Sequence, residues 1–76
     1  VAVALGNAGD RAAVPDLART LRHEPEALVR RHAAWALGQL GGRDARHALE
    51  TALPAETDAL VREEIRRALD QGSQAG

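Results

Sequence analysis

Residues 29–42 read VRRHAAWALGQLGG, and much of this stretch recurs at an offset of 32 residues in both directions. Residues 2–6 (AVALG) align with residues 34–38 (AWALG), and the ALVR of residues 27–30 returns unchanged at residues 59–62. A fixed period between about 20 and 50 residues is typical of folds in which one small unit stacks repeatedly on its neighbours. The sequence therefore predicts a stacked-repeat protein.

The apolar residues of each repeat follow the 3.6-residue period of helices that are buried along one face. We predict an all-α solenoid of stacked antiparallel helix pairs, with five helices of which the first is truncated. The first helix ends at Ala8, the second runs from near Asp10 to near His23, the third from near Pro25 to Leu40, the fourth from after Asp44 to before Pro54, and the fifth begins near Thr57 or Asp58. The predicted buried residues are Val14, Leu17, Ala18, Leu21, Val29, Ala33, Ala36, Leu37, Leu40, Ala45, Ala48, Leu49, Ala52, Leu53, Val61, Ile65, Ala68 and Leu69.

Glycine and proline residues mark the ends of the predicted helices. Pro15 must lie near the start of its helix, because a proline further in would lose a hydrogen bond and clash with the preceding turn. The Gly-x-x-Gly segments at residues 6–9 and 38–41 are interpreted as helix stops, since no strand precedes them as in phosphate-binding loops. We predict one repeat domain over residues 1–70, with about two and a half repeats, and a disordered tail over residues 71–76.

Composition excludes several classes of function for this chain. It has no cysteine, so disulfides, thiolate zinc sites and cysteine-ligated iron–sulfur clusters are excluded within these 76 residues. Ten basic and eleven acidic residues give a formal charge of −1, so no overall field attracts nucleic acid or acidic lipid. No stretch approaches the ~18 apolar residues of a membrane span. We expect no membrane contact and a cytoplasmic location.

The residues also predict no catalytic or metal site. The hydroxyl side chains belong to Thr20, Thr51, Thr57 and Ser73. None of them has a histidine at an evident repeat position beside it, as nucleophilic catalysis requires. His23 and Glu24 form a single His-Glu pair at a loop, and the matching Ala55 and Glu56 lack the histidine. We expect this chain to hold no cofactor and no metal, and not to be an enzyme.

The chain begins at Val1, where the repeat pattern is already inside a helix, so we expect a fragment of a longer protein. Solenoid ends expose apolar faces unless a polar terminal repeat covers them. We therefore expect the isolated fragment to self-associate or to be marginally stable.

The unit over residues 13–38 resembles a HEAT repeat of the short type first associated with phycobilin lyases. In that family the second helix of each pair begins with Val-Arg and lines the concave face, and a loop acid pairs with the arginine of a neighbouring repeat. The resemblance implies a structural ladder that is built from Glu24, Arg30, Glu56 and Arg62. Glutamate stands here where aspartate is usual in the family.

Residues 2–10, 29–38 and 61–65 are together similar to the C-terminal HEAT-like region of bacterial epoxyqueuosine reductases. That family makes the last step of queuosine in the tRNA anticodon, using cobalamin and iron–sulfur clusters. The resemblance implies that this chain supports the catalytic domain of its parent and helps to dock tRNA. The clusters would then lie elsewhere in the parent, because this chain lacks cysteine.

Five side chains are the candidates for contact with tRNA or another partner: Arg31, His32, Trp35, Arg66 and Arg67. A guanidinium group suits bidentate contacts with phosphate. The residues that align with the arginine and histidine candidates in the neighbouring repeat differ from them in charge, so the repeat fold does not require a basic side chain at these positions. Trp35, the only aromatic residue, is either a partly exposed anchor for a partner or a residue packed on the neighbouring helix pair. The alternatives for the surface as a whole are a solvated mixed-charge face and a protein–protein scaffold with no nucleic-acid role.

Overall fold

The computed structural model describes the backbone of residues 11–75 and the side chains of residues 12–71. The described part contains four α-helices and two short 3₁₀ segments, and no strand. The helices are α1 (Val14–His23), α2 (Ala27–Leu40), α3 (Gly42–Ala52) and α4 (Ala59–Ala75), and the 3₁₀ segments are Arg11–Ala13 and Leu53–Ala55. The all-α prediction is confirmed. The first predicted helix and the proposed cap at Asp10 lie outside the described residues.

The four helices form two layers. The most extensive contact is between α2 and α4, while α1 packs on α2, α3 packs on α4, and α1 meets α3. Arg31 near the start of α2 pairs with Glu64 near the start of α4, and Gly38 near the end of α2 meets Ala68 further along α4. These contacts show that α2 and α4 run in the same direction, as equivalent helices of successive repeats do.

Each helix buries one apolar face against the others. The buried apolar residues of the described part are Ala13, Val14, Leu17, Leu21, Ala33, Ala34, Ala36, Leu37, Leu40, Ala45, Leu49, Ala52, Val61, Ile65 and Ala68. The predicted core residues Ala18, Ala48, Leu53 and Leu69 are half-buried at its margins. The core is rich in alanine, and small side chains allow the helix axes to approach closely.

One predicted core residue is wrong. Val29 is 40% exposed, whereas Ala34, which was not predicted, is completely buried. Ala34 lies one turn before Gly38 on the side of α2 that meets α4. Because α2 packs on a helix in the same layer as well as on the other layer, its buried face is rotated towards α4 and away from Val29.

Helix ends lie close to the predicted positions. Pro15 sits in the first turn of α1, where its missing N–H group costs no hydrogen bond. Gly41 ends α2 with φ +65°, a conformation that glycine adopts without steric cost, and its N–H group donates to the Leu37 carbonyl at 3.0 Å. Helix α3 then begins at Gly42, three residues earlier than predicted.

The last helix differs more from the prediction. It continues through Ala75, beyond the end expected at Asp70. The division of the chain into a domain over residues 1–70 and a tail over residues 71–76 stays a prediction.

The Gly-x-x-Gly segment at residues 38–41 ends α2 at Gly41, as predicted, whereas Gly38 has a different role. It lies inside α2, and a Cβ atom added there would stand 2.8 Å from the Cβ of Ala68 and 3.2 Å from its Cα. A Cβ contact shorter than 3.0 Å essentially never occurs in proteins, so α2 or α4 would have to shift. Glycine is therefore required at this position by the close approach of α2 and α4.

Candidate interaction surface

The strongest polar contact in the described part joins the two repeats. Arg30 at the start of α2 donates to Glu56 in the loop before α4 through two parallel hydrogen bonds, Nε to Oε1 and Nη2 to Oε2, each 2.9 Å long. The third arm of the guanidinium, Nη1, donates to the carbonyl oxygens of Glu24 at 2.8 Å and Pro25 at 3.0 Å. The two side chains are only 15% and 4% exposed, so the pair is well shielded from water.

This pairing changes the acidity of both groups. The hydrogen bond with Glu56 raises the pKa of Arg30. Burial alone would raise the pKa of Glu56, but the hydrogen bonds from Arg30 and from the N–H of Asp58 outweigh it, and the pKa lies below its ordinary value of 4.5. Glu56 therefore stays ionised at neutral pH although it is buried.

The loop that carries Glu56 is ordered by its own hydrogen bonds. The backbone N–H of Asp58 donates to Glu56 Oε2 at 3.0 Å. Asp58 Oδ1 in turn accepts from the N–H groups of Leu60 at 2.9 Å and Val61 at 3.1 Å, which caps the first turn of α4. The predicted helix start near Thr57 or Asp58 thus agrees with the structure, and the cap holds the Glu56 carboxylate in place for Arg30.

The other two members of the predicted ladder have no such partner among residues 11–75. The Glu24 carboxylate accepts a long 3.4 Å bond from the N–H of Glu26, and no described arginine side chain reaches it. Arg62 Nη1 donates to the carbonyl oxygens of Glu56 at 3.1 Å and Leu53 at 3.3 Å. Of the four predicted ladder residues, the structure pairs Arg30 with Glu56. Glu24 and Arg62 form no ion pair with any side chain that the structure describes.

A second group of side chains lies on the exposed side of the α2–α4 layer. On α2, Leu28, His32 and Trp35 are spaced four and three residues apart and so share one face. Leu60 and Arg67 occupy the equivalent positions on α4. We call these five residues, together with the Arg31–Glu64 pair between them, the α2–α4 surface.

The apolar members of the α2–α4 surface are strongly exposed: Leu28 by 61%, Leu60 by 56% and Trp35 by 50%. Neither leucine was predicted. The signal that could have identified them is their place in the repeated ALVR sequence, one residue off the buried stripe. Of the two alternatives for Trp35, the partly exposed position is the one observed. Large apolar side chains that cluster on a surface often mark a contact site.

The arginine and histidine candidates are not equivalent. Arg31 Nε lies 3.6 Å from Glu64 Oε1, and the two side chains are 42% and 13% exposed, so Arg31 already has an acidic neighbour on the adjacent helix. Arg67 makes only a 4.0 Å contact with Glu63, and both of these side chains are more than 60% exposed. His32 is also exposed. Arg66 is exposed but corresponds to Ala34, so it lies on the side of α4 away from α2, outside the α2–α4 surface.

The part of the chain that the structure describes was also searched for metal sites and for membrane-spanning helices. Within residues 11–75, no group of three or more acidic, histidine or cysteine side chains is placed to hold a metal ion, and His23 has no such neighbours. None of the described helices combines the length and the apolar composition needed to cross a bilayer.

Comparison with known proteins agrees with this architecture. The family model for HEAT repeats matches residues 1–70, and the chain belongs to the HEAT-repeat family. Within that class it is similar to a crystal structure of selenomethionine-labelled epoxyqueuosine reductase, with 32% identity over 83% of this chain and a TM-score of 0.77. A structure of epoxyqueuosine reductase from Bacillus subtilis is also 32% identical, over 82% of this chain, with a TM-score of 0.75. This chain covers 17% of each of those proteins. A search of curated proteins returns no significant match.

Proposed function

We propose that this chain is the HEAT-repeat module of a cytoplasmic tRNA-modifying reductase related to epoxyqueuosine reductase, and that it contributes a docking surface rather than catalytic groups. The observation that supports this most directly is the 32% identity, spread over four-fifths of the chain, to two epoxyqueuosine reductase structures. Because the chain covers 17% of each, the catalytic chemistry and its cofactors belong to the remainder of such a protein. That catalytic part is the first partner of the module.

The α2–α4 surface is the proposed docking surface for tRNA. Trp35 offers an exposed aromatic face on which an unpaired base can stack, and Arg67 offers an exposed guanidinium for a phosphate. His32 lies one turn before Trp35 on the same exposed face of α2 and adds a hydrogen-bond donor. Arg31 contributes less to tRNA binding, because its guanidinium already contacts the Glu64 carboxylate.

The experiment measures tRNA binding by the full-length protein, with and without residues 1–76, at two salt concentrations. Deletion should weaken binding, and Arg67→Gln should weaken it severalfold and reduce the salt dependence by about one phosphate contact. Arg19→Gln on α1 is the matched control, because Arg19 is also exposed and pairs loosely with Asp16 at 3.7 Å. An affinity that ignores both the deletion and the salt would refute the tRNA role.

A second candidate is a protein–protein contact with no nucleic-acid role. The exposed Leu28 and Leu60 and the near-zero net charge favour it. In that case Leu28→Ser and Leu60→Ser should weaken association with the protein partner, while Arg67→Gln leaves both this association and any tRNA binding unchanged. The two sets of variants therefore separate the candidates.

A further inference from the structure

A cavity opens where α2 ends and α3 begins, with α4 as its third wall. Three buried apolar side chains form its floor: Leu37, Leu49 and Ala68. A Cβ atom added to Gly41 on the wall would meet no heavy atom within 4 Å, so the space beside it is open. The volume is about 240 Å³, whereas apolar cavities of ~150 Å³ hold a benzene molecule. The cavity therefore has room for a large apolar side chain.

One core position of the repeat differs between the two copies at this cavity. Arg46 aligns with Val14 at the 32-residue offset, and Leu49 aligns with Leu17. Both leucines and Val14 are buried, but 54% of the Arg46 side chain is exposed. A guanidinium group is not stable among apolar side chains without a partner, so Arg46 turns towards solvent. The valine of one repeat thus contributes to the core, whereas its counterpart in the next repeat lines an open cavity.

Two arginines of α3 stand at the mouth of this cavity. Arg43 and Arg46 are three residues apart, so they share one face of the helix, and both are exposed. Arg46 contacts Glu50 through Nε alone, at 3.1 Å, and Arg43 forms no ion pair with any described side chain. Asp44 and Asp70 are neighbours in sequence of lining residues, but none of the described residues that line the cavity is acidic. The mouth therefore carries positive charge.

We propose that this cavity is a docking site for a protein segment in which a large apolar side chain, aromatic or the size of leucine, stands next to Asp or Glu. The apolar side chain enters the cavity and covers Leu37 and Leu49, and the acids meet Arg43 and Arg46 at its mouth. A nucleobase fits less well, because its polar edge finds no hydrogen-bond partner among aliphatic side chains. The site shares no residue with the α2–α4 surface and does not depend on the proposed tRNA role.

The test adds capped tripeptides to the isotopically labelled chain and follows its amide and leucine methyl resonances. Acetyl-Asp-Phe-Asp-amide should cause saturable shifts at Leu49, Leu69 and Gly41, and none at Leu28 on the α2–α4 surface. Alanine in place of phenylalanine should weaken binding by at least about tenfold, because the apolar side chain supplies the buried surface. Lysine in place of both aspartates should weaken it by about two- to tenfold, because the arginines then face like charges.

Variants of Arg46 separate the cavity from its charge. Arg46→Val introduces the residue of the equivalent position Val14, so it should fill the cavity and abolish the response. Arg46→Gln leaves the cavity open and should weaken binding by about two- to fivefold. Arg19→Gln on α1 is the control for charge alone and should change nothing. Circular dichroism and the thermal midpoint establish that the variants remain folded.

Four outcomes would overturn the proposal. The first two are equal binding of the phenylalanine and alanine peptides, and undiminished binding by a folded Arg46→Val chain. The third is adenosine monophosphate that binds about tenfold more tightly than the phenylalanine peptide, which would assign the cavity to a nucleotide. The fourth is a set of shifts at the same residues that follows dilution of the chain without any peptide, which would assign the cavity to a second copy of this chain.

Discussion

Replacement of Glu56 by glutamine should destabilise the fold far more than its small chemical change suggests. Glu56 accepts two 2.9 Å bonds from Arg30 and one 3.0 Å bond from the N–H of Asp58. Glutamine offers one acceptor oxygen and no charge, so at least one bond from Arg30 is lost. Hydrogen bonds to charged groups contribute about 1.5–3 kcal/mol each, and breaking a buried ion pair costs about 3–5 kcal/mol.

The structure places the expected loss near the lower end of that range. Arg30 is 15% exposed and keeps its two carbonyl acceptors, so it is not left without partners. We expect the free energy of unfolding to fall by about 2 kcal/mol at pH 7. A domain of this size has a total stability of only about 4–11 kcal/mol. The thermal midpoint should therefore fall by about 10 °C.

The loss should also depend on pH. Because the folded-state pKa of Glu56 lies below its ordinary value of 4.5, the carboxylate stabilises the fold above that pH, and this stabilisation disappears as the pH falls through the folded-state pKa. Urea unfolding of both proteins, followed by circular dichroism, should show a large difference at pH 7 that shrinks in acid.

Glu50→Gln is the matched control for this experiment. Glu50 also accepts a hydrogen bond from an arginine, Arg46 Nε at 3.1 Å, but both side chains are more than half exposed. Exposed pairs contribute about 0–1 kcal/mol, so this variant should change little. Equal losses for the two variants, or a loss for Glu56→Gln that is the same at pH 7 and in acid, would refute the role of Arg30 and Glu56 as the link between repeats.

Three further predictions concern packing, capping and association. Gly38→Ala should lower stability by about 1–3 kcal/mol in thermal unfolding, because its methyl group meets Ala68 at 2.8 Å; an unchanged or higher midpoint would contradict this. Asp58→Ala should cost about 1 kcal/mol by the same assay, while Asp58→Asn, which keeps a capping oxygen, should cost less. The isolated chain should self-associate through its exposed apolar side chains, and sedimentation of a stable monomer would oppose that expectation.

The repeat register of the sequence predicted most of the architecture. The 32-residue period placed Arg30 and Arg62 in equivalent positions, and likewise Glu24 and Glu56, and the helical period identified nearly all of the buried residues. Both signals reflect local geometry that repeats along the chain. The pairing of Arg30 with the acid of the following repeat, rather than with Glu24, depends on how the repeats stack, and periodicity alone does not contain that information.

The errors fall where two helices of the same layer meet. Helical periodicity could not decide between Val29 and Ala34, because alanines occur on several sides of α2 and only the position of α4 determines which side is buried. Helical periodicity also could not predict the close contact of Gly38 with Ala68, thirty residues away. The signal for Trp35 was better, because a position occupied by Arg67 one repeat later tolerates exposure.

The measurement that tests the docking role most directly uses Trp35 as its own probe, because it is the only aromatic residue in the chain. Its fluorescence is recorded while an anticodon stem-loop RNA is added at low and at high salt. We predict a saturable change in emission whose apparent Kd rises with salt, which Arg67→Gln weakens and Arg19→Gln does not. An emission that the RNA leaves unchanged, or a response that is equal in both variants, would contradict the assignment of the α2–α4 surface to tRNA.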